Sequence, residues 1–337
     1  MDSVTQAVLG GAVSYTVLGR RLGKRAALNG MVLGTIPDLD VLIDFGGPIE
    51  NMTHHRGFSH SLFVQALVAP VFILLLSNLS FGSSVSWTRW SVAVYLSLAT
   101  HSLADFFTVY GTQIFWPLTN YPFAHSILFI VDPIYTTPLL VAVISALLMR
   151  DRSQAVKINA LMLGLSTLYL VWSTGAKSLI DNRVKKALAI NGISAEVYES
   201  TPAPLNTLLW RGVAVDDNQY FEIWASVFDD VDKIQIQRFP RNEELISAIV
   251  DHPKIERLRW FTKGQYKVWR SDDQIIISDI RMGVEGAYVF NFEVGLQTDN
   301  QTSIGSFQQI QQRLDLRGLK FVWARIFDPT VNLSNLN

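Results

Sequence analysis

The chain has 337 residues, of which 49% are hydrophobic and 17% are charged, and it contains no cysteine. About a quarter of the residues in a soluble domain are normally charged, so this composition argues against a uniformly soluble globule. The missing cysteines argue against a disulfide-stapled scaffold or a cysteine-ligated zinc module. The net charge of −1 provides no basic field that would attract nucleic acid.

The charges are unevenly distributed along the chain. Residues 1–149 carry only 13 Asp, Glu, Lys and Arg side chains, whereas residues 181–337 carry 39. We therefore predict a helical membrane domain over residues 1–180 and a soluble domain over residues 181–337.

Four long, nearly uncharged runs in the first half predict membrane helices, since about 20 apolar residues cross the hydrocarbon core of a bilayer. Two shorter N-terminal stretches, 4–18 and 26–43, predict short or broken helices, with glycines that allow close helix approach. The expected fold is a membrane all-α bundle of about four to six transmembrane or re-entrant helices. The four runs are 62–79, 90–104, 127–148 and 158–176, and the glycines are Gly10, Gly11, Gly30 and Gly34.

The distribution of Lys and Arg predicts the orientation of this bundle. If all six segments cross the bilayer, most of the basic residues between them fall on one side, which the positive-inside rule makes cytoplasmic. The loops 44–61 and 108–126 and the C-terminal domain then lie on the non-cytoplasmic side. Four basic residues that follow the last span oppose this orientation: Lys177, Arg183, Lys185 and Lys186. The predicted topology is multi-pass.

The hydrophobic period changes from residue 181 onward. A short amphipathic helix over 181–190 is followed by runs in which apolar and polar residues alternate, as in antiparallel strands. Residues 242–263 predict a helical stretch interrupted by Pro253. The second domain is therefore expected to be a small soluble α+β domain with an antiparallel sheet. Its predicted strands are 207–215, 219–227, 233–238, 265–270, 274–281 and 287–294.

Two acidic motifs stand at the ends of apolar segments of the first half. Asp38 and Asp40 follow Pro37, which disfavours helix before it, and two carboxylates at this spacing suit a hard cation. His101 and Asp105 are four residues apart and so share one helix face. Helix capping in the first motif, and a structural His–Asp pair in the second, are the alternatives to metal binding.

The densest polar motif is His54-His55-Arg56-Gly57-Phe58-Ser59-His60-Ser61. Neutral imidazole is the commonest metal ligand, and the planar guanidinium of Arg56 suits a phosphate or a carboxylate. A polar loop at headgroup depth is the alternative. In the six-segment topology all three motifs fall on one face of the membrane. About three carboxylates and three imidazoles there could hold two ions, which suits in-line displacement at phosphorus.

The motifs PDLD, HHRGFSHS, HSLAD and YGTQIFWP, in this order, resemble the YdjM-like family of LexA-regulated, membrane-bound metal-dependent hydrolases. The resemblance covers roughly residues 1–176 and implies metal-dependent hydrolysis and a location in the bacterial inner membrane. One departure concerns a Thr-His pair of many members, which is Thr5-Gln6 here. If that histidine is a ligand, Asp2 or water takes its place in this chain. The positions that match the family are Asp38, Asp40, His55, Arg56, Gly57, His60, Ser61, His101 and Asp105.

The residues and the resemblance together predict a membrane-bound metal-dependent hydrolase. The expected cofactor is a divalent metal, zinc first and Mn²⁺ or Mg²⁺ as alternatives, with one or two ions. The expected partners are the lipid bilayer and a lipid-like or phosphorylated small substrate cleaved at headgroup depth. The predicted metal residues are Asp38, Asp40, His55, His60, His101 and Asp105, and the predicted catalytic residues are Arg56 as oxyanion clamp, His54 as proton shuttle, and Ser61.

Two other functions fit the same residues. A transporter or metal-handling membrane protein would use the His and Asp side chains to line an ion path, with ligands spread over several depths. A non-enzymatic envelope scaffold would hold a structural metal and bind a partner through its soluble domain.

Overall fold

The contacts of the chain divide it into two compact units. Unit 1 comprises Met1–Ile43 and His54–Thr174, and unit 2 comprises Asp44–Thr53 and Gly175–Asn337. This division does not show that either part folds alone, so the domain bounds 1–180 and 181–337 stay a prediction. The computed structural model describes residues 1–78, 85–195, 197–298, 301–311 and 319–333.

The first half of the chain is helical, as its composition predicts. Several helices begin at side chains that accept hydrogen bonds from the first free N–H groups. Asp2 accepts from the N–H groups of Val4 and Thr5, at 3.1 and 3.0 Å. The helices are α1 (Ser3–Leu22), α2 (Lys24–Leu33), a 3-10 helix (Pro37–Leu42), α3 (Pro48–His54), a 3-10 helix (Phe58–His60), α4 (Leu62–Ser77), α5 (Trp87–Phe106), α6 (Pro133–Leu148) and α7 (Arg152–Ile190).

The N-terminal glycines allow α1 and α2 to touch, which confirms the expected close approach. A Cβ atom on Gly30 would lie 2.2 Å from the carbonyl oxygen of Gly10. A Cβ atom on Gly34 would lie 2.5 Å from the carbonyl oxygen of Gln6. Only glycine fits at such backbone contacts. The contact places Gln6 and the Gly34 carbonyl beside the candidate site described below.

The expectation of four to six crossing helices is corrected by the structure. Among the described residues, only α7 is by itself long and apolar enough to cross a bilayer. A second candidate span is the pair Pro48–His60 and Leu62–Ser77, whose axes bend by 60°. Of the four predicted runs, 158–176 lies in α7 and most of 62–79 lies in the bent pair. The run 127–148 falls on α6, which has only 16 residues, and the run 90–104 falls on α5, which carries polar side chains.

The second half contains antiparallel sheets and short helices, which confirms the predicted architecture of an α+β domain. One four-stranded sheet has the order β1-β2-β3-β4, another has the order β10-β9-β6-β5, and β7 pairs with β8. The strands are β1 (Val197–Pro202), β2 (Leu209–Val215), β3 (Gln219–Ser226), β4 (Gln235–Pro240), β5 (Tyr266–Ser271), β6 (Gln274–Asp279), β7 (Gly283–Val284), β8 (Ala287–Tyr288), β9 (Asn291–Thr298) and β10 (Gln301–Ile304), and the helices are two 3-10 helices (Val231–Lys233 and Glu243–Ile246), α8 (Pro253–Phe261) and α9 (Leu319–Phe327).

The core of unit 2 forms where the last turns of α7 pack on the first sheet. Ile180 and Val184 of the helix are fully buried together with Trp210 and Ile223 of the strands. The short segment Asp44–Thr53 belongs to the same unit. It is held there by α8, because Lys254 pairs with Glu50 at 3.3 Å and Arg257 donates to Thr53.

Candidate metal centre

Three separate elements of unit 1 each bring donor atoms to one place. Asp38 lies on the first 3-10 helix and His60 on the second, while His101 and Asp105 lie one turn apart on α5. One ligand atom from each of the four residues lies within 4.8 Å of all the others. His60, His101 and Asp105 are completely buried, and Asp38 is partly exposed. The sequence predicted this convergence, and these four of the six predicted metal residues show it.

The spacing of these donor atoms fits a divalent cation. The Nε2 atom of His60 lies 3.0 Å from His101 Nε2 and 3.0 Å from Asp105 Oδ2. His101 Nε2 lies 3.3 Å from Asp105 Oδ2, and Asp38 Oδ1 lies 3.4 Å from both imidazole nitrogens. Zinc–ligand bonds of about 2.0–2.2 Å at tetrahedral angles separate the ligand atoms by about 3.3–3.5 Å. The residues present therefore fit a bound metal ion.

Hydrogen bonds behind the two imidazoles fix which nitrogen faces the cluster. His101 Nδ1 donates to the carbonyl oxygen of Gly34 at 2.7 Å. Ser59 donates to Asp40 at 2.6 Å, so its oxygen accepts from His60 Nδ1, which lies 2.9 Å away. With Nδ1 protonated, the Nε2 atom of each neutral ring carries a lone pair. Such outer hydrogen bonds are typical of metal-binding histidines, because they fix the tautomer and the ring orientation.

Asp105 uses its two carboxylate oxygens differently. Oδ2 faces the imidazoles, while Oδ1 lies 3.2 Å from Arg56 Nη2 and accepts from Gln6 Nε2 at 3.1 Å. The backbone nitrogen of Met1 also contacts Oδ1. Donors on one oxygen orient the carboxylate and leave the other oxygen for a cation.

The other two predicted metal residues lie just outside the group of four. Asp40 accepts hydrogen bonds from His55 Nδ1 at 2.8 Å, from the N–H of Arg56 at 3.0 Å and from the hydroxyl of Ser59. Burial alone would raise the pKa of Asp40, but the hydrogen bond from His55 and the neighbouring His60 lower this pKa below its ordinary value. Asp40 thus orients His60 through the hydroxyl of Ser59. Direct metal ligation by Asp40 and His55 stays a prediction.

Arg56 is buried beside the cluster with its backbone in the left-handed region, at φ +62°. Its Nη1 donates to Thr108 Oγ1 at 2.9 Å, and its guanidinium stacks 4.8 Å from the ring centre of Tyr110. Its Nε has no hydrogen-bond partner among the described residues. A buried N–H without a partner costs about 1–3 kcal/mol, so this guanidinium is suited to an incoming oxygen atom.

The remaining predicted catalytic residues, Ser61 and His54, do not belong to the group of four. Ser61 caps α4, where its oxygen accepts from the N–H groups of Phe63 and Val64 and its hydroxyl donates to Trp116. His54 ends α3 and is half-buried, outside the group of four. The roles of Ser61 and His54 in catalysis stay predictions.

The sequence only partly indicated the residues that support the site. Gln6 stands where the family resemblance implies a histidine, and it contacts both Asp105 and the carbonyl oxygen of His101. Asp2, the suggested substitute, instead caps α1. The Gly34 carbonyl gave no sequence signal, since any residue carries one.

A profile of the YdjM inner membrane protein family matches residues 1–179, which is more than half of the chain. The chain belongs to this family. All four clustered ligands lie inside the matched part, and the description of the YdjM family places its members in the inner membrane. No curated protein and no solved structure matches the chain at a significant level.

Proposed function

We propose that the protein is a membrane-bound metal-dependent hydrolase that cleaves a phosphoester of a lipid-like substrate. The observation that carries the proposal is the buried group of Asp38, His60, His101 and Asp105, whose ligand atoms lie within 4.8 Å of one another. A divalent cation held there would supply Lewis acidity and lower the pKa of a water molecule towards neutrality. Zinc suits two imidazoles and two carboxylates best, and Mn²⁺ or Mg²⁺ and a second ion stay open.

The side chains around the cluster would prepare a phosphate for attack. Arg56 presents a buried guanidinium whose Nε is without a partner among the described residues, and Asp105 holds the far end of the same guanidinium. A fixed cation of this kind stabilises negative charge that develops on phosphate oxygens. His54 is half-buried and is the proposed proton shuttle, since imidazole side chains exchange protons near neutral pH.

The way the ligands are gathered favours hydrolysis over transport. An ion path needs binding groups at successive depths, whereas these four donors form a single group. The partly exposed carboxylate of Asp38 gives that group its contact with solvent. A substrate whose scissile bond lies at the level of the lipid headgroups would reach such a site, and this supports a lipid-like phosphoester as substrate. Cleavage on the non-cytoplasmic side of a multi-pass protein is part of the same proposal.

The experiment starts with the full chain purified in detergent. Metal content is measured by mass spectrometry for the wild type, His60→Ala and Asp105→Asn, with His125→Ala as a matched control outside the cluster. Each protein is then assayed against lipid-like and soluble phosphoesters with the bound metal supplied. We expect about one or two ions and turnover in the wild type and His125→Ala, and neither in the cluster variants.

Two results would contradict the proposal in different ways. Equal metal content in the wild type and in His60→Ala would show that the cluster is not a metal site. If the cluster variants lose the metal but the wild type cleaves no phosphoester, the result would favour a scaffold with a structural metal. The variant Arg56→Lys distinguishes a hydrolase from a scaffold with a structural metal. Only in a hydrolase should this variant lose turnover while it keeps its metal.

A further inference from the structure

A second concave site lies in unit 1, far from the metal cluster. It is an open cavity of about 590 Å³ between the turn that joins α1 to α2 and the turn that joins α6 to α7. Sixteen residues of α1 separate Gln6, beside the metal cluster, from Leu22, which lines this cavity. At 1.5 Å per residue the two sites are about 24 Å apart along the helix. The cavity is therefore a site of its own.

The charge of the cavity is entirely positive. Its lining contains Arg21, Lys24, Arg25, Arg150 and Arg152, and no carboxylate belongs to the described residues that line it. The nearest acid in sequence, Asp151, is exposed, and its Oδ1 caps α7 by accepting two N–H groups at 2.8 and 3.2 Å. Five cations around one cavity repel each other, and an anion bound among them relieves that repulsion.

Part of this cationic surface is held in place before any ligand arrives. Arg152 Nη1 donates to the carbonyl oxygen of Arg21 at 3.1 Å. Its guanidinium packs against Gly23, where a Cβ atom would lie only 3.0 Å from Arg152 Nε. Gly23 has φ +57° and precedes α2, whose first turn has no side-chain cap. The N-terminal end of the α2 dipole adds a partial positive charge there.

Part of the cavity lining is apolar. Leu22, Ala146, Leu147 and Met149 line the cavity together with the buried ring of Tyr15. The volume of the cavity falls within the range of about 300–1,000 Å³ that is typical of small-molecule sites. A ligand that joins a phosphate to hydrocarbon would suit both the basic and the apolar lining residues, whereas a purely apolar or a cationic ligand would not.

We propose that this cavity binds a phosphate-bearing anion, with the phosphate among the five cations and any attached hydrocarbon against the apolar lining residues. Basic pockets between helices at a membrane surface bind the headgroups of anionic lipids in the same manner. A lipid headgroup and a free phosphate share this chemistry. The proposal does not depend on the hydrolase, since it involves none of the residues of the metal cluster.

The test measures binding to the full-length protein in a zwitterionic detergent at low salt. The probes are a short-chain phosphatidylglycerol, a short-chain phosphatidylcholine and inorganic phosphate, each titrated by calorimetry. We expect phosphatidylglycerol to bind and phosphatidylcholine to bind at least tenfold more weakly. Each basic residue near a membrane surface contributes about fivefold to anion affinity, so Lys24→Ala and Arg150→Ala should each weaken binding about fivefold.

The matched control is Arg20→Ala, which removes one exposed cation from the last turn of α1 outside the cavity lining. It should leave the affinity within twofold of the wild type, and all three variants should keep the wild-type melting temperature without ligand. Equal weakening by Arg20→Ala, or equal binding of phosphatidylcholine, would overturn the proposal. Inorganic phosphate binding as tightly as the lipid supports the anion site and assigns it to a soluble phosphate. Binding of neither anion also overturns the proposal.

Discussion

The Nε2 atoms of His60 and His101 lie 3.0 Å apart, although 41 residues separate these histidines in the chain. Each ring is turned by a hydrogen bond at its Nδ1 atom, His101 to the Gly34 carbonyl and His60 to Ser59. Two lone pairs that face each other at this distance are unfavourable unless a proton or a cation lies between them. A metal ion bound between the two rings would therefore also stabilise the folded protein.

The first prediction concerns metal removal. Chelation should lower the melting temperature of the wild-type protein, because it removes a ligand that binds only the folded state. At a hundredfold excess over its dissociation constant, such a ligand adds about 2.7 kcal/mol, which corresponds to roughly 5–10 °C for a unit of this size. Thermal unfolding with and without chelator measures the change. The variant His60→Ala should melt at the same temperature in both conditions, and a chelator effect of wild-type size in this variant would contradict the prediction.

The second prediction concerns Gln6, which binds Asp105 and the carbonyl oxygen of His101 but is not itself in the group of four. Loss of a side chain that orients a ligand typically weakens metal binding about 10–100-fold. Gln6→Leu keeps the volume and removes the amide, so it should lower metal affinity by this amount while the protein stays folded. Competition with a chromogenic chelator measures the affinity. The exposed Gln154→Leu is the control, and equal affinities in wild type and Gln6→Leu would remove Gln6 from the site.

The third prediction tests whether the contact between α1 and α2 holds the site together. A Cβ atom on Gly30 would lie 2.2 Å from the Gly10 carbonyl oxygen, so Gly30→Ala must separate the helices and displace the Gly34 carbonyl from His101. Overpacking of this kind costs about 1–3 kcal/mol. We expect a lower melting temperature and weaker metal binding.

Gly164→Ala is the matched control for that variant. Gly164 also lies within a helix, but a Cβ atom there meets nothing within 4 Å. The substitution should therefore stabilise the protein slightly, by about 0.5–1 kcal/mol. If both variants melt above the wild type, the close approach of α1 and α2 does not constrain the structure.

The sequence predicted that four polar side chains converge, which they do, and it overestimated the number of membrane spans. Asp38, His60, His101 and Asp105 were predictable because ionisable groups in apolar segments are costly and need a partner. The number of spans was overestimated, because apolar composition does not reveal where a helix ends. Residues 44–61 were treated as one loop, yet the structure assigns Asp44–Thr53 to unit 2, and only long-range contacts such as Lys254–Glu50 determine this.

In the C-terminal half, alternating and β-rich runs predicted the strands β2 to β6, although β2 and β3 are buried along almost their whole length. The short strands β7 and β10 were not predicted. The strand β1 was missed because its apolar and polar residues do not alternate clearly, and its burial comes from pairing with β2. The supporting contacts of the metal centre were harder still to predict. A backbone carbonyl such as that of Gly34 has no sequence signature, and its role appears only when α1, α2 and α5 are packed.

The last prediction concerns a buried ion pair in unit 2. Arg211 on β2 contacts Glu222 on β3, and both side chains are almost fully buried. Tyr288 donates to the same carboxylate at 2.8 Å, and burial next to Glu222 raises the pKa of Tyr288 well above its ordinary value. Arg211 also donates to the Ile280 carbonyl at 2.8 Å, so this pair connects the first sheet to the segment that follows β6.

Removal of one partner leaves the other charge buried without compensation, which costs about 3–5 kcal/mol. Arg211→Met should therefore lower the melting temperature strongly, whereas Arg211→Met combined with Glu222→Leu should recover much of the loss. The control is Lys233→Ala, which breaks an exposed ion pair with Asp230 and should change nothing measurable. Tryptophan fluorescence reports this unfolding, since Trp210 and Trp224 lie buried in the same sheet. A double variant no more stable than Arg211→Met would show that the hydrogen bonds to Tyr288 and Ile280, rather than the paired charges, hold these strands together.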